Sequence, residues 1–516
     1  MANEGILTRL ALMGCITVLA TPSWAARVTP PDDLKAFMAQ VETASVLADP
    51  YERCLRMPDP PGSHWTPTAV AAYCRFANEA TLNARQFRDL IAAGKGAMVD
   101  KLFAGYLTAQ LHDPAHPAQL DAAIRRTGWR TSSQTTRRVI DEWMRQRPKS
   151  AFAVAASAIQ YGAAALDARG SDFASHTSRR QFDGMETLAA RARQDFDRAA
   201  TMKPAIPTLY AYRYSAGVLQ GDAAYADAAV NDGLALQSNE FLLRLIRANM
   251  SGAKWYGTTD EVARQGDEAR ALAGRTPLLT IVSSRAMLAV LTAEMTQAPV
   301  GDEVAAVAEV AHTDDLSNLA GFAWTAGHND RALILAVEAL RFDAGNDRAL
   351  YQVAKIAPTY GYGPWMRATL LAAANDHPES VDVARMAGGY LSLYDDFAHS
   401  EPLLKSVLAE RSYDVWATDQ LAALYVREGH HSNEALRLVE ALLEHHPEDG
   451  WAQVIRARLL ISADDPRRYE AIKRFLVQFA QDDRFRDEVN ELATYLREHP
   501  EATAASGTAT EAPSLG

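Results

Sequence analysis

Acids, bases, nucleophiles or metal ligands must converge before a chain can do chemistry, and the candidates here are few. Carboxylate pairs stand at Asp395-Asp396 and Asp464-Asp465. General acid and base work needs two carboxyls facing one bond, in environments that separate their pKa values. Both pairs fall at expected inter-helix turns, where aspartate caps a helix start, so capping is the preferred reading. Histidine pairs stand at His430-His431 and His445-His446. Adjacent residues on a helix point to different faces, so neither pair is expected to chelate a metal. Gly94-Lys95-Gly96 lacks the rest of a phosphate-binding loop, and Gly361-Tyr362-Gly363 fails at the third glycine of a dinucleotide fingerprint. Neither H-E-x-x-H nor G-x-S-x-G occurs. The expectation is no catalytic residue, no cofactor and no metal.

Thiol chemistry depends on compartment. The chain starts MANEGILTRLALMGCITVLATPSWAAR, in which Arg9 precedes an apolar run from Leu10 to Ala20 and Ser23-Trp24-Ala25 offers small residues for cleavage. That is the layout of a secretory signal spanning 1–25, too short to cross a membrane as a helix. The alternative is a lipoprotein, since Leu12-Met13-Gly14-Cys15 resembles a lipobox. After cleavage only Cys54 and Cys74 remain. An even pair in an oxidising compartment reads as a disulfide staple, against the alternative of two buried free thiols. No C-x-x-C spacing supports redox catalysis.

The charge balance of −12 argues against general nucleic-acid binding. One stretch runs the other way. From Arg125 to Lys149 stand eight basic residues, Arg130, Arg137 and Arg138 among them, interleaved with Trp129 and Trp143. It reads first as a solvated helix face with tryptophans in the core, and alternatively as a site for an anionic partner. Two aromatic-glycine turns, around Trp255-Tyr256 and around Tyr360, Tyr362 and Trp365, read as packing between hairpins or as partner hot spots.

The elements that must position these residues are helices. Ala- and Leu-rich segments with helical periodicity alternate with Gly, Pro, Asn or Asp breaks, and sustained period-2 alternation is missing. In LAGFAWTAGHNDRALILAVEALRFDAG, small residues recur at Ala320, Ala323, Ala332, Ala336 and Ala339 around a turn at Gly327. Leu421-Ala422, Tyr425, Gly429, Ala435 and Pro447 repeat the pattern, and a last helix is expected near 484–498. These residues resemble tetratricopeptide-repeat proteins. Trp143, Pro148, Ala168-Arg169-Gly170, Lys203-Pro204 and Lys254 to Thr258 resemble a bacterial helical-hairpin domain family of unknown function.

The expected organisation is an all-α chain, an α-solenoid of tetratricopeptide-like hairpins. After the signal come an N-terminal helical cap (26–135), a helical-hairpin domain (136–300), tetratricopeptide-like repeats (301–498) and a disordered tail (499–516). The signal layout places the chain in the periplasm or outside the cell, and the resemblance implies a non-enzymatic scaffold whose concave tetratricopeptide-like surface binds a protein or peptide in the cell envelope. The alternatives are a binder of an anionic envelope polymer or glycan, and an envelope hydrolase with a raised carboxylate pKa in a cleft. Neither nucleic acid nor a further membrane span is expected.

Overall fold

The computed structural model describes residues 28–170, 178–252, 257–293, 308–394, 396–429 and 431–501. The expected signal segment with Cys15, the pair Trp255 and Tyr256, and the tail from Ala502 lie outside the described residues. Among the described residues every regular element is an α-helix or a short 3-10 turn. They form two compact units that divide between Val383 and Ala384.

Local sequence sets the helix starts. The Ser150 hydroxyl accepts from Ala153 N at 3.1 Å, and Asn346 Oδ1 accepts from Ala349 N at 2.9 Å. Asp414 and Asp449 do the same for Ala417 and Ala452 in the second unit. Each cap satisfies an N–H that the helix itself leaves unpaired and is worth about 1 kcal/mol.

In the first unit, helix Ala151–Arg169 pairs with Arg179–Ala200, Pro207–Leu219 with Ala223–Leu236, and Thr313–Thr325 with Asn329–Phe342. First helices of successive hairpins also pack: Pro207–Leu219 lies against Phe241–Met250, and Thr313–Thr325 against Asp347–Ile356. The second unit repeats the scheme. Val415–Glu428 pairs with Ser432–His445, Gly450–Ser462 pairs with Arg468–Phe479, and the two first helices touch. Such nearest-neighbour stacking of hairpins is an α-solenoid. The last helix, Arg486–Glu498, buries Leu492 with Phe475 and Phe485 in the terminal core.

Close helix approach explains the small residues. Ala320, Ala323, Ala332, Ala336 and Ala339 are all fully buried. A Cβ on Gly217 would stand 2.8 Å from Ala226 N, so the hairpin around it closes only on glycine. Gly327 turns with φ +85°, a conformation costly for any other residue. Ala151–Arg169 is long and apolar enough to span a bilayer by composition, but its residues from Ala151 to Gln160 are all buried in the protein.

Cys54 and Cys74 are joined by a disulfide, with Cα atoms 5.7 Å apart, which ties helix Pro50–Arg56 to helix Pro67–Ala77. Closing that loop constrains the unfolded chain by about 3 kcal/mol in the chain-entropy model. The cysteine-bearing segment, expected as part of a cap, packs far along the chain on helix Asn329–Phe342. Tyr73 stacks on Phe342 at 4.3 Å, and Trp65 lies 6.1 Å from the same ring. Arg341 reaches back from that helix. Its Nε donates to Cys54 O at 2.7 Å, and its Nη1 donates to Asp59 Oδ1 at 2.8 Å and to Glu338 Oε2 at 3.1 Å. The staple therefore holds a loop whose carbonyls and carboxylate receive a buried guanidinium.

Candidate functional site

The basic stretch divides by helical register. On helix Gln134–Gln146, Arg137, Ile140 and Trp143 share one buried face. Arg137 donates to Ser157 Oγ and Gln160 Oε1, both at 3.2 Å, and to Asp141 Oδ1 at 2.8 Å, while its guanidinium lies 4.5 Å from the Tyr161 ring. Trp129 and Trp143 are fully buried, 5.8 Å apart, with Phe87 and Phe103. Arg138 is exposed and donates to Thr135 Oγ1. Arg130 is exposed beside the Tyr212 ring, at 5.9 Å.

The aromatic turn at Tyr360, Tyr362 and Trp365 is half-buried against the N-terminal segment. Trp365 Nε1 donates to Ser45 Oγ at 3.2 Å, and Val28 N donates to Thr359 O at 3.0 Å. The paired acidic and histidine motifs do local work. Asp396 holds His399 at 2.7 Å, Asp465 accepts from Arg467 N at 2.9 Å, and His445 stacks on Tyr413 at 3.7 Å. Asp395 and His430 lie outside the described residues. Among the described residues no group of three or more His, Cys, Asp or Glu side chains is placed to hold a metal.

A polar cluster that no motif announced forms where the N-terminal helices meet helix Thr313–Thr325. His312 caps that helix, its Nδ1 accepting from Asp314 N at 3.2 Å and from Arg285 Nη1 at 3.0 Å. Both contacts use Nδ1 as acceptor, so the imidazole is neutral with its proton on Nε2. Burial drives its pKa down to about 4, against the pull of Asp314. Arg285 also donates to Asn249 Oδ1 at 2.8 Å and pairs with Asp315 at 3.6 Å. Burial raises Asp315 to about 6.

The Asp314 side chain keeps 60% exposure. Desolvation works against its charge, but the neighbouring His312 and then the guanidiniums of Arg285, Arg130 and Arg348 outweigh that and hold its carboxyl below the usual range. Arg130 and Arg348 are both exposed, and among the described residues neither has a carboxylate within 4 Å. Arg130 comes from the basic stretch, whereas Arg285 and Arg348 lie 155 and 218 residues further on.

Three carboxyls with raised pKa values are sealed. Asp121 and Glu240 are 2% and 0% exposed and close enough that the charge of each bears on the other. Thr208 Oγ1 donates to Asp121 Oδ1 at 2.5 Å, and Gln110 Oε1 accepts from Leu120 N at 2.9 Å beside them. Burial lifts Asp121 to about 6, and burial with the Asp121 charge lifts Glu240 well above its ordinary value. Such a pair joins the N-terminal helices to helix Phe241–Met250, where no substrate reaches it. Glu338, raised to about 7 by burial against the pull of Arg341, is 0% exposed.

No family model matches the chain, and no curated protein matches it. Among solved structures it is 18% identical to YrrB, a tetratricopeptide-repeat protein with an unusual peptide-binding site, over 36% of this chain and 91% of that one, with a TM-score of 0.29. It is 12% identical to a tetratricopeptide-repeat protein from Parabacteroides merdae, over 56% of this chain and 98% of that one, with a TM-score of 0.30. It is 13% identical to yeast Tom70, over 90% of this chain and 85% of that one, with a TM-score of 0.32. Overlaps this loose carry no argument about function; the solenoid rests on the helix packing described above.

Proposed function

We propose that this chain is an exported scaffold, without catalysis of its own, that binds an acidic segment of a protein partner in the cell envelope. The observation that carries the reading is a half-exposed Asp314 with Arg285 4.0 Å away and Arg130 and Arg348 adding to the positive field on it, in a chain of net charge −12. Exposed guanidiniums without contact carboxylates keep their fork of donors free, and that fork matches a partner's carboxylates bidentately. Export, to the periplasm or beyond the cell, is supported by the leader layout of residues 1–25. The stretch 138–272 is read as a helical-hairpin module of the unknown-function type, an assignment that rests on its sequence.

The test is a comparison of the full chain with its Arg130→Glu/Arg348→Glu variant, each immobilised and exposed to envelope extract. The wild type is expected to retain a stoichiometric polypeptide that elutes at about 0.5 M salt, where screening extends only a few ångströms. The variant is expected to hold it at least ten-fold more weakly. Equal retention by both overturns the assignment. Retention of an anionic polymer in place of a polypeptide overturns the partner class.

A further inference from the structure

Two successive hairpins of the second unit open with the same corner. Asp414-Val415-Trp416 begins helix Val415–Glu428, and Asp449-Gly450-Trp451 begins helix Gly450–Ser462. In each, the aspartate caps the helix and the tryptophan follows two residues later.

The first corner shows what this arrangement holds. Arg385 Nε lies 2.9 and 3.0 Å from the two carboxylate oxygens of Asp414, and the guanidinium stands 4.9 Å from the Trp416 ring. Carboxylate and indole face together grip one planar cation, by ion pairing and by attraction to the ring quadrupole.

Arg385 sits on the preceding first helix, Val381–Ser392. The residue 34 positions on, at the matching place of the next first helix, is Asp419. At the second corner the chain thus supplies an acid where the first had an arginine. Asp419 is 7% exposed, and its Oδ1 has no hydrogen-bond partner. Asp449 accepts from Ala452 N at 3.0 Å, and among the described residues neither acid has a cation within 4 Å. Trp451 packs one side on Phe485 at 5.0 Å and keeps 45% exposure.

We infer that Asp419, Asp449 and Trp451 form a binding site for an arginine side chain of a partner protein, built on the plan by which Asp414 and Trp416 hold Arg385. A buried carboxyl without a partner is costly, and a guanidinium delivered from outside removes the cost. The state of Asp419 agrees: burial and the charges of Asp449 and Asp414 push it up to about 8, as for an acid lacking its counter-charge. The site is independent of the arginine cluster in the first unit, so a partner using both would carry charges of both signs.

The full chain labelled with 5-fluorotryptophan tests this directly, with the Trp451 fluorine resonance assigned from Trp451→Phe. N-acetyl-arginine amide is the probe, and N-acetyl-glutamate amide is the control. The expected result is a saturable shift of the Trp451 resonance with the arginine probe alone, needing at least ten-fold more probe in Asp419→Asn. In Asp419→Arg the chain's own guanidinium fills the place and the probe has no effect. A Trp451 signal that ignores the probe in the wild type overturns the site, as does an equal response in wild type and Asp419→Asn. Neither outcome bears on the first-unit cluster, which the Arg130 and Arg348 changes test separately.

Discussion

Arg341→Ala is expected to lower the folding stability of the first unit by about 3–5 kcal/mol, the cost of leaving a buried charge without its partner. The Arg341 and Glu338 side chains are 1% and 0% exposed. Removing the guanidinium strands the Glu338 carboxyl, whose Oε1 already has no donor. It also releases Cys54 O and Asp59, the contacts that bind the disulfide-tied loop to helix Asn329–Phe342. Arg270→Ala makes the control. Its partner Asp267 lies at 2.8 Å, but the two side chains are 56% and 74% exposed. Exposed pairs of this kind contribute about 0–1 kcal/mol. Urea unfolding of the two variants beside the wild type is the measurement. Equal losses would show that the buried pair does not hold the N-terminal segment.

Raising the pH from about 5 to about 8 is expected to destabilise the protein, because its buried acids hold protons that the unfolded chain would release. Asp121 and Asp315 are lifted to about 6 and Glu338 to about 7, with Glu240 raised in the same direction. Each group's folded-state pKa lies above its unfolded value. Its contribution is therefore complete below the unfolded value and is lost as pH climbs through the folded one. His312, depressed to about 4, works in the opposite sense and removes stability as pH falls below its unfolded value near 6.5. Four acids in the first unit outweigh one histidine, since a tenfold change in a group's proton affinity on folding is worth about 1.4 kcal/mol. Thermal scans should show a midpoint higher at pH 5.5 than at pH 8.5 by at least about 5 °C. Asp121→Asn/Glu240→Gln should flatten that difference. A midpoint that rises toward pH 8.5 would contradict the raised pKa values of these buried acids.

Much of this architecture was legible in the sequence, for a local reason. Small residues recur at helical spacing wherever two helices must touch, and the structure buries Ala332, Ala336 and Ala339 there. The cysteine pair was legible too, once an oxidising compartment was expected from the leader layout. Arg137 could have been separated from Arg138 by register alone, because it lies three and six residues before Ile140 and Trp143 on one helical face. The aromatic turn at Tyr360 to Trp365 was visible as a feature, but its packing on Ser45 and Val28 joins segments more than 300 residues apart. The Arg341 contacts with Cys54 and Asp59 span more than 280 residues. The Asp121 and Glu240 pair, and the meeting of Arg130 with Arg285 and Arg348, are likewise products of tertiary return. A single sequence records each of these residues as an ordinary surface charge. The acid at position 419 was the exception that register could have exposed, because it stands where the repeat before it carries Arg385.

The central claim, that a partner docks at the arginine cluster of the first unit, is tested most directly by site-specific photo-crosslinking in the native cell. A photoreactive p-benzoylphenylalanine replaces the exposed Ala344, four residues before Arg348, in one strain and the exposed Arg180 in another. The account predicts a crosslinked species with a second polypeptide from position 344 and none from position 180. It also predicts loss of that species when Arg130→Glu and Arg348→Glu are added. A position-344 strain that yields no crosslinked polypeptide, or one that the two changes leave unaffected, would contradict it.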